Sequence, residues 1–408
     1  MKIRSITSFL DPGWPLDLNA IAELGSVAAR AKAGFQHAGY DVQTLRMATI
    51  PFPQLFSQMD DDGIVEAVQM LEQTAAKAGF AYLSIGPALL SHPDSYALIP
   101  KIIQNTENVF CSGQMAIKPQ GLSLEGVRAC AQIITDLAPQ DPNGFANLYF
   151  TALANVEAGS PFFPASYHSG GSPAFSLATE AASLAVDAFE GAATVEEGLE
   201  RLQHSVQSHA DRLKAAASEI QAETGSRFGG IDFSLAPFPD QANSIGTAME
   251  RMGVGKVGLH GSLAAAAMLA SALDQVSFPR VGFSGLFFPQ MEDAVLAQRA
   301  ADGGLLVKDL LMYSAVCGTG LDTIPLPGDT TPQQLTSLLL DLAALALRLD
   351  KPLTARLMPV PGKQAGDETN FDFSFFANSR VMELSADPLN SPMAQSQSIP
   401  IFTRQRDE

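Results

Sequence analysis

Two hydrophobic periods alternate along this chain. Apolar runs at residues 3–9, 42–47, 81–85, 109–116 and 147–153 read as strands. Between them, apolar residues recur at helical spacing. Ile21, Leu24, Val27 and Ala28 mark residues 17–37, and Ile64, Val65, Val68 and Leu71 mark residues 61–77. Gly39 and Gly79 stop these two helices. Residues 94–103 and 123–137 read as further helices. This alternation predicts a largely parallel sheet with helical crossovers.

The middle of the chain changes character. Residues 173–189 and 194–223 read as helices, the first with Ser172 as cap and Pro173 in its first turn. The second is long, amphipathic and charged, which suits the outside of a sheet or a subunit contact, and a homodimer is expected. The alternation then resumes. Strands are expected at 230–235, 256–259, 281–287, 323–326 and 353–359. Helices are expected at 240–252, 262–273, 292–301, 305–316 and 331–349, with a polar Gly-containing loop at 360–369. Residues 1–385 are expected to form one domain, an α/β fold with a single β/α barrel of about ten strands and outer helices. Two doubly wound halves are the alternative. Residues 386–408, rich in Ser, Gln and Pro, are expected to be an irregular tail.

Composition narrows the function classes. Apolar residues make up 46% of the chain and charged residues 17%, so the interior is large. A net charge of −18 argues against nucleic acid and anionic membrane partners. Asp341 breaks one of the longest apolar stretches short of a membrane span, and the N-terminus shows no apolar leader core. Cys111, Cys130 and Cys317 lie far apart without Cys-x-x-Cys spacing, so no disulfide framework is expected and the cytoplasm is the default. No Gly-x-Gly-x-x-Gly or P-loop pattern indicates a nucleotide.

Three runs place reactive side chains where apolar segments end: Gly258-Leu259-His260-Gly261-Ser262, Phe288-Pro289-Gln290-Met291-Glu292-Asp293, and Cys317-Gly318-Thr319-Gly320-Leu321-Asp322. α/β proteins place their chemistry at strand ends. His260 between glycines could serve as base or ligand; the bland alternative is a backbone hydrogen bond. Cys317 could be a nucleophile, or simply a small buried hydrophobe. Glu292 and Asp293 open a helix, where acids favour the helix dipole, but one of them could face a site. Asp232 is a charge inside an apolar strand and therefore needs a partner. His168 precedes Ser169-Gly170-Gly171, Asn155 follows a strand, and Cys111 ends an extended run. Arg356 and Lys363 could hold an anionic group, and Asp322 flanks a strand.

Several of these residues also resemble, in order and spacing, a widespread prokaryotic family of unknown function with a pyruvate formate-lyase-like barrel. The resemblance rests on Ile3-Arg4-Ser5-Ile6-Thr7, Cys111-Ser112, Asn155-Val156-Glu157 with His168, and Ile231-Asp232-Phe233-Ser234-Leu235-Ala236-Pro237. It continues through His260-Gly261, Ser284-Gly285, Pro289 with Glu292-Asp293, and Cys317 with Gly320-Leu321-Asp322. It implies a ten-stranded β/α barrel with a site inside or at its mouth, and no particular activity. Where that family tends to end in a Gly- and Pro-rich segment, this chain carries Phe375-Phe376-Ala377-Asn378-Ser379-Arg380-Val381-Met382. Glycyl-radical lyases of similar fold carry an Arg-Val-x-Gly-aromatic loop. Arg380-Val381-Met382-Glu383 lacks that glycine, so radical chemistry is rejected.

The expectation is therefore a non-radical lyase or hydrolase acting on a small polar metabolite. Its catalytic candidates are His260, Cys317, Asp232, Glu292 and His168; Asn155, Cys111, Ser284, Asp322, Arg356 and Lys363 would bind substrate. A metabolite-binding or regulatory protein without turnover is the alternative. Asp232, Glu292, Asp293 and His260 would suit a divalent metal such as Mg, Mn or Zn. Asp232, His260, Cys317 and Asp322 are expected around one cavity.

Overall fold

The computed structural model describes residues 1–403. The apolar runs become strands of one sheet: β1 (Lys2–Leu10), β2 (Val42–Thr49), β3 (Tyr82–Ala88), β4 (Val109–Ile117), β5 (Gly121–Ser123), β6 (Phe150–Ala154), β7 (Ala174–Glu180), β8 (Arg227–Asp232), β9 (Gly320–Pro327), β10 (Leu353–Val360) and β11 (Ser398–Ile399). The order is β8-β7-β1-β2-β3-β4-β6-β10-β9, with β5 on β4 and β11 on β5. Neighbours from β1 through β4 to β6 are parallel, as are β7 with β8 and β9 with β10. The two groups meet antiparallel at β1–β7 and β6–β10. The sheet is thus mostly parallel, in two halves of opposite direction.

Helices cover the outer face. In Leu18–His37 the buried residues Ile21, Leu24, Ala28, Ala31 and Phe35 recur at three- to four-residue spacing. Asp60 caps Asp61–Lys77 by accepting from the Gly63 amide, and Thr331 and Gln334 form a reciprocal capping box ahead of Pro332–Leu349. Each such cap stabilises its helix by roughly 1 kcal/mol. The segment between β6 and β7 crosses the inner face. There Ser5 Oγ and Thr7 Oγ1 donate to the Pro161 carbonyl, and Ser84 Oγ donates to that of Ser166.

Three sequence expectations are corrected. Residues 173–189 are not one helix: β7 occupies Ala174–Glu180, and only Ala182–Ala188 is helical. The Ala- and Leu-containing run favours a helix locally, but all seven β7 residues are buried between β1 and β8, and tertiary pairing overrides propensity. Pro173 precedes the strand, where its missing N–H costs no ladder bond. Residues 256–259 form a turn, because Gly258 takes φ +105° and packs its Cα against the Gly304 carbonyl, leaving no space for a side chain. Residues 281–287 make a single isolated parallel bridge, Leu235–Leu286, while the flanking Arg280 and Pro289 bridge Ile231 of β8 and Asp322 of β9.

The expected tail is not wholly irregular, since β11 pairs antiparallel with β5 and the Leu124 amide donates to the Gln397 carbonyl. Residues 404–408 of that tail lie outside the described residues. Among the described residues no helix is long and apolar enough to cross a membrane.

Candidate functional site

Arg4 on β1 and Arg46 on β2 are half-buried charges inside strands of the sheet. Burying an unpaired charge is costly, so each must face a partner or a cavity. Both line a cavity of about 170 Å³ on the inner face, together with Arg356, Glu292 and Asp322. Backbone irregularities aim these side chains. The β1–β7 register slips between Ile3 and Ser5, at Arg4. On β9 and β10, Leu321 pairs with Ala355 and Ile324 with Leu357, so β9 carries one extra residue there. Thr323 absorbs it at φ +47°, beside Asp322 and opposite Arg356. The Gln290 amide donates to the Asp322 carbonyl, and the Glu292 amide closes a turn on the Pro289 carbonyl. This brings Glu292 up to Asp322.

Arg356 is the hub of the charge network. Its Nε donates to Asp322 Oδ1 at 2.6 Å and its Nη2 to Glu292 Oε1 at 2.8 Å. Arg4 Nη2 donates to the other Glu292 oxygen. Arg356, Glu292 and Asp322 are buried. Burial alone would raise the Glu292 carboxyl, but Arg4 and Arg356 hold it below its ordinary value. Burial wins at Asp322, whose carboxyl is raised despite Arg356, with Glu292 adding repulsion.

Arg46 is different. Its Nε donates to Thr44 Oγ1 at 2.9 Å, while neither Nη has a hydrogen-bond or ion-pair partner among the described residues. The guanidinium lies 5.5 Å from the Tyr82 ring centre and 5.2 Å from that of Phe163. Burial, then repulsion from Arg4, lowers its pKa to about 9. Two further polar groups line the cavity without partners among the described residues: the Thr151 and Thr319 hydroxyls, 1% and 3% exposed. The rest of the wall is aromatic. Phe110 packs edge-on to Tyr82 and Phe163, with ring centres at 5.4 and 5.3 Å. Phe373, and Phe375 from the segment that replaces the expected Gly- and Pro-rich end, also line the cavity. Phe145 stacks edge-on against Phe373 at 5.2 Å.

The sequence candidates separate into several places. Glu292, Asp322 and Arg356 meet in the cavity. Asp232, fully buried, is not part of its lining. Its carboxylate accepts from the Phe283 amide at 2.6 Å, from the Ser284 amide at 2.8 Å and from Ser234 Oγ. It clamps the 282–284 loop, and burial raises its carboxyl to about 7. Ser284 Oγ serves the same junction by donating to the Ile231 or Val281 carbonyl. Cys317 and Ser284 line a second, more open groove with Lys351, whose Nζ donates to the Cys317 carbonyl. His260 is exposed in the turn before the helix Ser262–Asp274, away from any strand end, because residues 256–259 are themselves a turn. The expected single cavity around Asp232, His260, Cys317 and Asp322 is therefore not formed.

His168 is buried beside Phe9, with its amide on the Thr49 carbonyl at 2.8 Å and Nε2 without a partner among the described residues. Burial lowers its pKa. Asn155 Nδ2 donates to Asp350 Oδ1 at 3.3 Å, outside the cavity. Cys111 packs in the core under the helices, where burial raises its thiol. The Lys363 carbonyl accepts from the Gly328 amide, and its side chain does not line the cavity.

The four metal candidates do not converge either. Asp293 caps the helix Ala294–Ala301 through the Val295 and Leu296 amides and accepts from Ser244 Oγ at 2.6 Å. Both Glu292 oxygens carry guanidiniums. Among the described residues no group of three or more His, Cys, Asp or Glu side chains is placed to hold a metal ion. Arg4, Arg46, Thr151, Thr319 and the aromatic wall were missed from sequence. Both arginines lie within runs read as strands, residues 3–9 and 42–47, where a charge with no partner in sequence is a usable signal.

Known proteins match this chain over most of its length but carry no activity in their names. A UPF0210 protein of Pyrobaculum arsenaticum is 31% identical over 352 residues, covering 81% of this chain and 76% of that one. A UPF0210 protein of Pyrobaculum aerophilum is 31% identical over 370 residues, covering 85% and 80%. One from Oenococcus oeni is 28% identical over 373 residues, covering 86% and 81%. With the family described as Uncharacterised ACR (DUF711) matching residues 1–379, the chain belongs to that family.

Proposed function

We propose that this protein binds a small anionic metabolite in the arginine cavity. The observation that carries this reading is Arg46, whose two Nη groups face the cavity without a partner among the described residues. Three guanidiniums line the cavity with two carboxylates; Glu292 and Asp322 pair with Arg4 and Arg356, buried Glu180 also acts on Arg4, and Arg46 has no ion-pair partner among the described residues. An anion would neutralise it and restore the cation that burial disfavours. The Thr151 and Thr319 hydroxyls, without partners among the described residues, offer further polar contacts. The pocket fits the usual pattern of ligand sites, apolar walls with a few fixed polar groups.

Turnover is the second reading, favoured by the two carboxylates. Asp322 is raised by burial while the arginines hold Glu292 low. Two carboxyls pushed apart in this way suit acid and base roles in a non-radical lyase or hydrolase. Residues 280–289, bridged to β8 on one side and β9 on the other, support closure of the sheet into a ten-stranded, pyruvate formate-lyase-like barrel around this cavity.

Isothermal titration with small carboxylates and phosphates, on wild type and Arg46→Gln, tests the binding reading. Saturable binding of an anion to wild type, weakened about tenfold or more in the variant, is expected. Equal binding to both proteins, or none by any anion, refutes it. Loss of product but not of binding in Asp322→Asn would separate the turnover reading from binding alone.

A further inference from the structure

We infer that the ligand is an aromatic monocarboxylate, bound with its carboxylate on Arg46 and its ring among the phenylalanines. This rests on the anion-binding reading and narrows it. The cation matches a carboxylate in shape. Arg46 spends Nε on Thr44, which leaves the two Nη groups as an end-on fork, and such a fork binds both oxygens of a planar carboxylate. The cavity matches it in charge. Arg46 is the one guanidinium without an ion-pair partner among the described cavity residues, and a phosphate dianion there would meet more repulsion from Glu292 and Asp322 than a singly charged carboxylate.

The walls match the rest of the molecule. Phe163 both faces the guanidinium and packs edge-on against Phe110, so the cation sits directly beside an aromatic wall. Phe162 and Phe287, with ring centres 4.4 Å apart, continue that wall, and Phe373 and Phe375 line it from the C-terminal segment. A ring inserted here meets edges and faces at the separations aromatic pairs prefer. Size is compatible. A cavity of about 150 Å³ holds benzene, and this one is about 170 Å³, so a single ring with a carboxylate on a short linker fits.

Calorimetric titration with benzoate, phenylacetate, 3-phenylpropionate, acetate, phenyl phosphate and benzamide tests this on wild type, Arg46→Gln and Arg46→Lys. At least one aryl carboxylate is expected to bind about tenfold or more tighter than acetate and phenyl phosphate. Arg46→Gln should lose about 10- to 100-fold of that affinity. Arg46→Lys, which keeps the charge without the fork, should recover only part of it. Thermal melts of both variants confirm folding. Acetate or phenyl phosphate binding as tightly as the aryl carboxylates, with Arg46 dependence, overturns this inference and leaves the anion reading standing. Benzamide binding as tightly as benzoate, or no anion binding at all, overturns both.

Discussion

Replacing Glu292 with Gln removes the one carboxylate that bridges two of the cavity arginines. Arg4 and Arg356 each donate to a different Glu292 oxygen, and the Glu292 side chain is only 5% exposed. A glutamine keeps one acceptor oxygen and turns an NH₂ toward the other guanidinium. One charge-assisted hydrogen bond is lost, about 1.5–3 kcal/mol. The lining also loses one of its two carboxylate charges. Breaking a buried pair by removing one partner costs about 3–5 kcal/mol, so a loss of about 3–4 kcal/mol is expected for Glu292→Gln.

Urea unfolding followed by circular dichroism measures this, with the m-value as a check that the denatured state is unchanged. The pH dependence carries the sign. The folded Glu292 carboxyl lies below its ordinary value of 4.5. Its contribution is therefore complete above that value and disappears as pH falls through the folded pKa. The gap between wild type and variant should be full at pH 7 and narrow on acidification below about pH 4.5. A saturating anion should restore part of the variant's loss, about 2.7 kcal/mol at a hundredfold excess over its dissociation constant. A variant within about 1 kcal/mol of wild type, or a gap that widens on acidification, would show that Glu292 does not hold the arginines together.

Asp232→Asn should cost about 1–3 kcal/mol, because an amide cannot accept from both the Phe283 and Ser284 amides. The folded carboxyl sits at about 7, above its ordinary 3.8, so its contribution to stability falls as pH rises between those values. Chemical denaturation should therefore show the deficit of the variant narrowing over that window; a constant deficit would contradict the burial argument. His260→Ala, at an exposed turn, should change stability by no more than about 0.5 kcal/mol and leave anion binding unaltered. A tenfold loss of anion affinity in calorimetry would return His260 to the site.

Much of this protein was legible in one dimension. The helix expected at residues 61–77 is the one observed, Asp61–Lys77, because its apolar stripe and its stops are local. Strands β1, β2, β4 and β10 lie within three residues of their expected ends for the same reason. Glu292 opens a helix, Asp322 flanks a strand and Arg356 could hold an anionic group; those features of the sequence make them candidates, and the three meet in one cavity. Asp293, beside Glu292, takes the helix-capping role that acids at a helix start commonly have.

What the sequence could not settle was which of its charges share a space. Ala174–Glu180 looked helical by composition and became a strand because β1 and β8 bury it on both sides. His260 and Cys317 resembled strand-end chemistry, yet one is exposed on a turn and the other lines a separate groove. Arg4 and Arg46 join Glu292, Asp322 and Arg356 only because β1 lies beside β2 while β10 lies beside β9, and a slipped register turns Arg4 or Asp322 toward the cavity. Hydrophobic period reports which face of an element is buried, a property of neighbours in sequence. The meeting of buried charges depends on strand order and bulges, which are set by pairing between residues hundreds of positions apart.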